Sequence, residues 1–181
     1  MENIGETLVG DYLKVKYECD FVAFNVSTAD PKGEIDVVGI NSKKKEIYIC
    51  EVATHLVTGL RYVNAKEKIS DNVGRFVKKF KKNIADADKV FPEYKKKHFM
   101  LWSPIVKNPK TGTKFNQTKD IAEVEHEIFE QHRVRIEVIS NQEYMDRLNY
   151  LREYARRVTE ELKSPVLRLF QIEEKLKKHL H

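Results

Sequence analysis

The stretch GEIDVVGINSKKKEIYICEVAT, residues 33–54, contains two short apolar runs joined by a polar segment. Both runs are rich in Ile and Val, and such a pair predicts a β-hairpin. If the loop is the four residues 42–45, the antiparallel register places Asp36 opposite Glu51. Both faces of this hairpin are then apolar, which predicts a central pair of strands covered on both sides.

The two carboxylates need an explanation, because like charges directly opposite each other in a sheet are destabilising, with Cβ atoms roughly 4.5–5.5 Å apart. A divalent cation between Asp36 and Glu51 would remove the repulsion, and oxygen-only ligands favour Mg²⁺ or Mn²⁺ over zinc. Two alternatives stay open: the pair lies at a solvated strand end, or a buried arginine or lysine neutralises it. A slip of one residue in the register would separate the pair.

The apolar periodicity on either side of the hairpin predicts an α/β domain. Before residue 141 it predicts a helix at about 3–17, strands at 20–26, 34–40 and 46–54, a helix at 71–91, a strand at 98–106, a helix at 119–132 and a strand at 133–140. This order is typical of an α/β layered domain. Beyond it, one helix ends near Lys163 and another starts at Pro165 after Ser164 as N-cap, which predicts a C-terminal helical hairpin.

Composition limits the classes of protein to consider. The chain has 181 residues, 41% of them hydrophobic and 34% charged, which predicts one folded domain with an extension. Cys19 and Cys50 have no zinc spacing, and a thiol within an apolar run is typical of a reducing compartment. Neither a secretion signal nor a stretch of about 18 apolar residues is present, so we expect a cytoplasmic protein without membrane insertion.

Lysine clusters suggest an anionic partner. Lys78, Lys79, Lys81 and Lys82 alternate with apolar residues of the 71–91 helix and predict a basic face opposite its buried face. Such runs are most often only solvated, but phosphate binding also requires them. The predicted nucleic-acid-binding residues are Arg61, Lys66, Lys78, Lys82, Lys110 and Lys114.

At residues 33–36 and 51–54 the chain resembles the PD-(D/E)XK nuclease superfamily, and it is especially similar to archaeal Holliday junction resolvases and a small resolvase-like bacterial family. The resemblance implies a restriction-endonuclease-like three-layer core at 1–140, with a mixed central sheet flanked by helices, and the C-terminal helical hairpin at 141–181. Glu6 in IGETLVGDYL matches a first-helix glutamate that helps the metal site in those families. The C-terminal helical hairpin is most simply a cover for the domain edge, and as a second interpretation it is the interface of a homodimer.

The activity implied by the resemblance is metal-dependent hydrolysis of phosphodiester bonds in DNA, with Mg²⁺ or Mn²⁺. The implied metal ligands are Asp36, Glu51, the Val52 carbonyl and Glu6, and the candidate catalytic residues are Asp36, Glu51, Glu34 and Glu6. The alternative is a non-catalytic nucleic-acid-binding or assembly module on a nuclease-like scaffold. A purely structural α/β protein would need the protein's own cations beside the two carboxylates.

Ala53 departs from the family pattern, which has a lysine two residues after the glutamate. Three explanations compete. The alanine is an experimental replacement of a natural lysine, the chain is a natural non-cleaving binder, or another cation reaches the site. The candidates for that cation are Arg61, Lys66, Lys68 and Lys32. His55 is a further candidate for contacting the attacking water, although a single histidine in a polar stretch is more often inert.

Overall fold

The computed structural model describes residues 3–28, 33–61, 71–108 and 116–180. In these ranges the elements are α1 Ile4–Lys16, β1 Phe21–Ser27, β2 Glu34–Asn41, β3 Glu46–Val52, α2 Asn72–Val90, β4 Lys96–Ser103, α3 Gln117–His132, β5 Ile136–Ser140, α4 Asn141–Arg157 and α5 Pro165–His179. This confirms the predicted order of helices and strands.

The five strands form one mixed sheet in the order β1-β2-β3-β4-β5. β1, β2 and β3 are antiparallel neighbours, whereas β4 runs parallel to both β3 and β5. The short turn at 42–45 allows an antiparallel pair, while α2 and α3 provide the long crossovers that parallel strands require. Val37 pairs with Cys50, which is the register that a 42–45 loop predicts. The α/β class with a mixed sheet is therefore confirmed.

Helices cover both faces of the sheet and create two separate cores. On one face α1, α4 and α5 pack against side chains such as Cys50, Met100 and the fully buried Trp102. On the other face α2 and α3 pack against the alternate residues of the same strands, including Ile49 and Leu101. The central strands are thus apolar on both sides because each side contacts a helical layer.

One asparagine and one glutamine side chain hold the segments that follow β4 and α4. Asn141 adopts a φ of 47° and its amide binds the backbone N–H and carbonyl of Val106, at 3.1 Å and 3.0 Å. This contact fixes the loop after β4, which ends at Ser103 and is shorter than predicted. α4 ends at Arg157, also earlier than predicted. The segment between α4 and α5 is held by Gln171 of α5, whose side-chain amide forms hydrogen bonds of 2.7–3.2 Å with the backbone of Val158, Glu160 and Leu162.

The C-terminal hairpin shares a core with the first helix. Val166, Leu167 and Phe170 of α5 are buried in the same cluster as Tyr12 and Leu13 of α1. Ser164, just before α5, also donates a hydrogen bond to Asp11 of α1. The hairpin therefore contributes to the layer that covers one face of the sheet. Among the described residues, no helix is both long and apolar enough to cross a membrane.

A pair of substitutions in α5 tests this packing. Phe170 is 7% exposed and its neighbour Leu169 is 58% exposed. We expect Phe170→Ala to lower the free energy of unfolding by about 3 kcal/mol, because it leaves a cavity beneath the hairpin. Leu169→Ala should change it by less than about 0.5 kcal/mol. Chemical denaturation followed by circular dichroism measures both values, and equal costs would contradict a shared core.

Candidate active site

The β2–β3 ladder ends at Val37 and Cys50, one position before Asp36 and Glu51. At that position a side-chain hydrogen bond replaces the backbone pairing, because Oδ2 of Asp36 accepts a hydrogen bond of 2.7 Å from the backbone N–H of Val52. The predicted register is therefore present, but the two acids do not continue the strand pairing. The Asp36 carboxylate instead binds the backbone at the end of β3.

Glu51 is almost completely buried, with 1% of its surface exposed. Its Oε1 accepts a hydrogen bond of 2.6 Å from the Asn83 amide, and its Oε2 contacts the ammonium group of Lys79. The same ammonium lies 3.5 Å from Oδ1 of Asp36. Lys79 and Asn83 are four residues apart on α2 and so lie on the same side of the helix. One lysine from α2 thus contacts both carboxylates.

Burial and the nearby charge of Asp36 raise the pKa of Glu51 to about 7, although Lys79 and Asn83 oppose this rise. Burial lowers the pKa of Lys79, but the charges of Glu51 and Asp36 outweigh it and hold that pKa above its usual value. Lys79 therefore carries a full positive charge at neutral pH, whereas Glu51 exchanges its proton near neutrality.

The placement of Lys79 corrects the prediction that it belongs to an exposed basic face. Its side chain is only 36% exposed, and its ammonium points to the end of β3. Lys78, the preceding residue, is exposed as predicted. The signal that could have revealed the contact is Asn83, because its spacing from Phe76, Phe80 and Ala87 places a polar residue within the buried stripe of the helix.

Ala53 follows directly after β3, and its backbone N–H donates a hydrogen bond of 2.8 Å to the carbonyl of Trp102. Its methyl group packs against the core on the α2 side of the sheet. Strand alternation places residues 51 and 53 on the same face. A lysine at 53 would thus leave the sheet on the face from which Lys79 reaches Glu51.

The remaining acidic candidates lie near the same sheet edge but do not join the carboxylate pair. Glu6 is buried on α1, and its Oε2 accepts a hydrogen bond of 3.3 Å from the amide of Asn25. Glu34 is exposed at the first position of β2, where it pairs with Ser27. Within the ranges that the structure describes, no group of three or more His, Cys, Asp or Glu side chains could hold a metal ion.

The predicted basic residues are spread over several elements. Lys82 is half-buried on α2, and its ammonium lies beside Gly33 and 4.0 Å from Asp86. Arg61 and His55 are both exposed. The predictions for Lys32, Lys66, Lys68, Lys110 and Lys114 fall outside the described residues. Lys79 is the cation that the described structure places at the carboxylates, and the sequence-based candidates did not include it.

No family model, curated protein or solved structure matches the chain. What Asp36, Glu51 and Lys79 do must therefore be inferred from their own geometry.

Replacing Lys79 tests the electrostatics of this cluster. In Lys79→Met the ammonium is lost while burial and Asp36 remain, so the pKa of Glu51 should rise above about 7. A carboxyl-detected NMR titration measures this pKa. Lys78→Met, the same change at the exposed neighbouring position, should leave it unchanged. An unchanged or lower pKa of Glu51 in Lys79→Met would contradict the contact.

Proposed function

We propose that the chain is a metal-dependent DNA endonuclease of the restriction-endonuclease-like class, which hydrolyses phosphodiester bonds with Mg²⁺ or Mn²⁺. The observation that carries this proposal is the meeting of Asp36, Glu51 and Lys79 at one edge of the sheet. Two carboxylates and a lysine are the side chains of the PD-(D/E)XK motif. Here the lysine comes from α2 and not from position 53, which follows β3 and is occupied by alanine.

The residues present fit a divalent cation. The contact of one ammonium with both carboxylates marks a position where positive charge is stabilised. Asp36, Glu51 and the Val52 carbonyl offer only oxygen ligands, which suit Mg²⁺ or Mn²⁺. Mg²⁺ needs only one or two carboxylates, because waters and substrate phosphate complete its shell. Two acids therefore suffice, and the Glu6 carboxylate accepts a hydrogen bond from Asn25 of the neighbouring strand β1.

The chain's own residues prepare the site for hydrolysis. A bound Mg²⁺ would polarise the scissile phosphate and lower the pKa of the attacking water. With a cation held by the two carboxylates, the Lys79 ammonium that contacts them here would turn toward the phosphate, where its charge would stabilise the negative charge of the transition state. Asn83 holds the Glu51 carboxylate from one side, and the Val52 N–H holds that of Asp36. Both acids are therefore oriented before substrate binds.

The proposed partner is nucleic acid, with DNA as the first choice. The exposed Lys78 and the half-buried Lys82 lie on the same helix as Lys79, so a phosphate backbone at the carboxylates would pass close to this helix. The order of elements and the hairpin that carries both acids support the restriction-endonuclease-like class. A cytoplasmic location and a homodimer remain predictions.

A non-catalytic nucleic-acid-binding or assembly module is the second candidate. The same contact of Lys79 favours it, and also meets the condition for a purely structural α/β protein, because the protein supplies its own counter-charge to Asp36 and Glu51 and needs no metal to stabilise them. In that case the absence of a lysine at position 53 accounts for the loss of catalysis, and Lys79 stabilises the two carboxylates in place of a metal ion.

Cleavage of DNA tests the proposed function. With Mn²⁺ the unaltered chain should cleave at least one of three substrates, namely supercoiled, linear and branched DNA, measured by gel electrophoresis. Asp36→Asn should abolish the cleavage, because it removes a charged ligand while keeping the size of the side chain. The matched control is Asp88→Asn, an exposed acid at the other end of α2, which should cleave normally.

Thermal unfolding separates the two candidates. At a free cation concentration of a hundred times the Kd, binding adds about 2.7 kcal/mol to the stability of the folded state. We expect Mn²⁺ to raise the Tm of the unaltered chain but not of Asp36→Asn, and more strongly at about pH 8 than at about pH 6, because Glu51 ionises near pH 7. An absence of both stabilisation and cleavage would favour the non-catalytic module.

A further inference from the structure

Asn25 interrupts the regular backbone of β1 directly across from Asp36 of β2, and this cross-strand pair is called the Asp36 row. Its φ is 50°, in the left-handed region that asparagine tolerates better than most residues. The register pairs Phe24 with Val37 and Val26 with Ile35, so Asn25 lies opposite Asp36. A left-handed residue within a strand costs free energy, and such residues concentrate at functional sites.

The side-chain pattern changes at this row. Phe24 and Val37 pack in the core beneath α1. One pair further on, Val26 and Ile35 pack in the core beneath α2, although regular alternation would leave them on the first face. Both strands therefore rotate at Asn25 and Asp36. This rotation occurs where the Asp36 carboxylate leaves the ladder to bind the N–H of Val52.

The Asn25 side chain connects the Asp36 row to α1. Its Nδ2 donates a hydrogen bond of 3.3 Å to Oε2 of the buried Glu6. The first turn of α1 is itself fixed to the end of β3, because the amide of Asn3 donates to Oγ1 of Thr54 at 3.3 Å and Gly5 packs against the same threonine. Glu6 is thus held between β1 and the segment that follows Glu51.

We propose that Asn25 is a positioning residue that acts through Glu6, an inference that rests on the proposed metal-dependent function. Its backbone turns the strand at the Asp36 row, and its amide holds the Glu6 carboxylate beside that row. Glu6 would then place negative charge at the Asp36 row from the α1 side of the sheet, opposite the side from which Lys79 reaches the carboxylates. Groups of this kind orient metal sites from outside the ligand shell, and their loss weakens metal binding.

A double-mutant cycle on the full chain tests this role, with the Kd for Mn²⁺ measured by calorimetry at about pH 8. Asn25→Gly keeps the positive φ and removes only the amide, and Glu6→Gln removes the charge. Each change should weaken Mn²⁺ binding roughly tenfold. The double variant should bind no more weakly than Glu6→Gln alone, because Asn25 acts only through Glu6. Asn141→Gly, the same change at another left-handed asparagine, should leave the Kd unchanged.

Several results would overturn the inference. If the two losses multiply, or if Asn25→Gly binds Mn²⁺ as well as the unaltered chain does, Asn25 does not act through Glu6 and the proposed function stands without it. Unchanged affinity in Glu6→Gln would have the same meaning, and this test does not depend on the Asn25 variant folding. If the unaltered chain binds no Mn²⁺, the proposed function itself fails and the positioning role fails with it.

Discussion

The burial of the Glu51 carboxylate beside Asp36 is the constraint on which the rest of the site depends. An isolated buried carboxylate is expensive, and a second acid close by raises the cost further. Contacts with Lys79, Asn83 and the N–H of Val52 offset this cost, and each of these groups contacts one or both acids. Removal of any one contact would leave a charged group in the protein without part of its compensation.

The arrangement of the fold supplies these contacts from different parts of the chain. The mixed sheet places the start of β2 and the end of β3 at the same edge. The crossover between β3 and β4 brings α2 over this edge, so that Lys79 and Asn83 face the carboxylates. α1 covers the opposite face and holds Glu6 against Asn25. A local motif in the hairpin thus becomes a site only through tertiary packing.

The sequence predicted the hairpin, its register and the order of the elements, because these follow from local apolar patterns and turn length. It left open that a buried lysine neutralises the carboxylates, but it did not identify Lys79 as that lysine. Lys79 lies among other lysines on an amphipathic helix, and neither its spacing nor its type shows that it points inward. Asn25 was missed because a left-handed residue within a strand leaves no mark on the apolar pattern. Glu6 and Glu34 both matched a motif, yet only Glu6 is buried.

Ala53 and Lys79 together allow the most direct test of the proposal that Lys79 of α2 takes the role that the nuclease motif assigns to a lysine at position 53. Lys79→Ala should slow Mn²⁺-dependent DNA cleavage about a hundredfold or more, because it removes charge that stabilises the transition state. Adding Ala53→Lys to that variant should restore part of the rate, since position 53 lies on the same sheet face as Glu51. Full cleavage by Lys79→Ala alone would contradict the account.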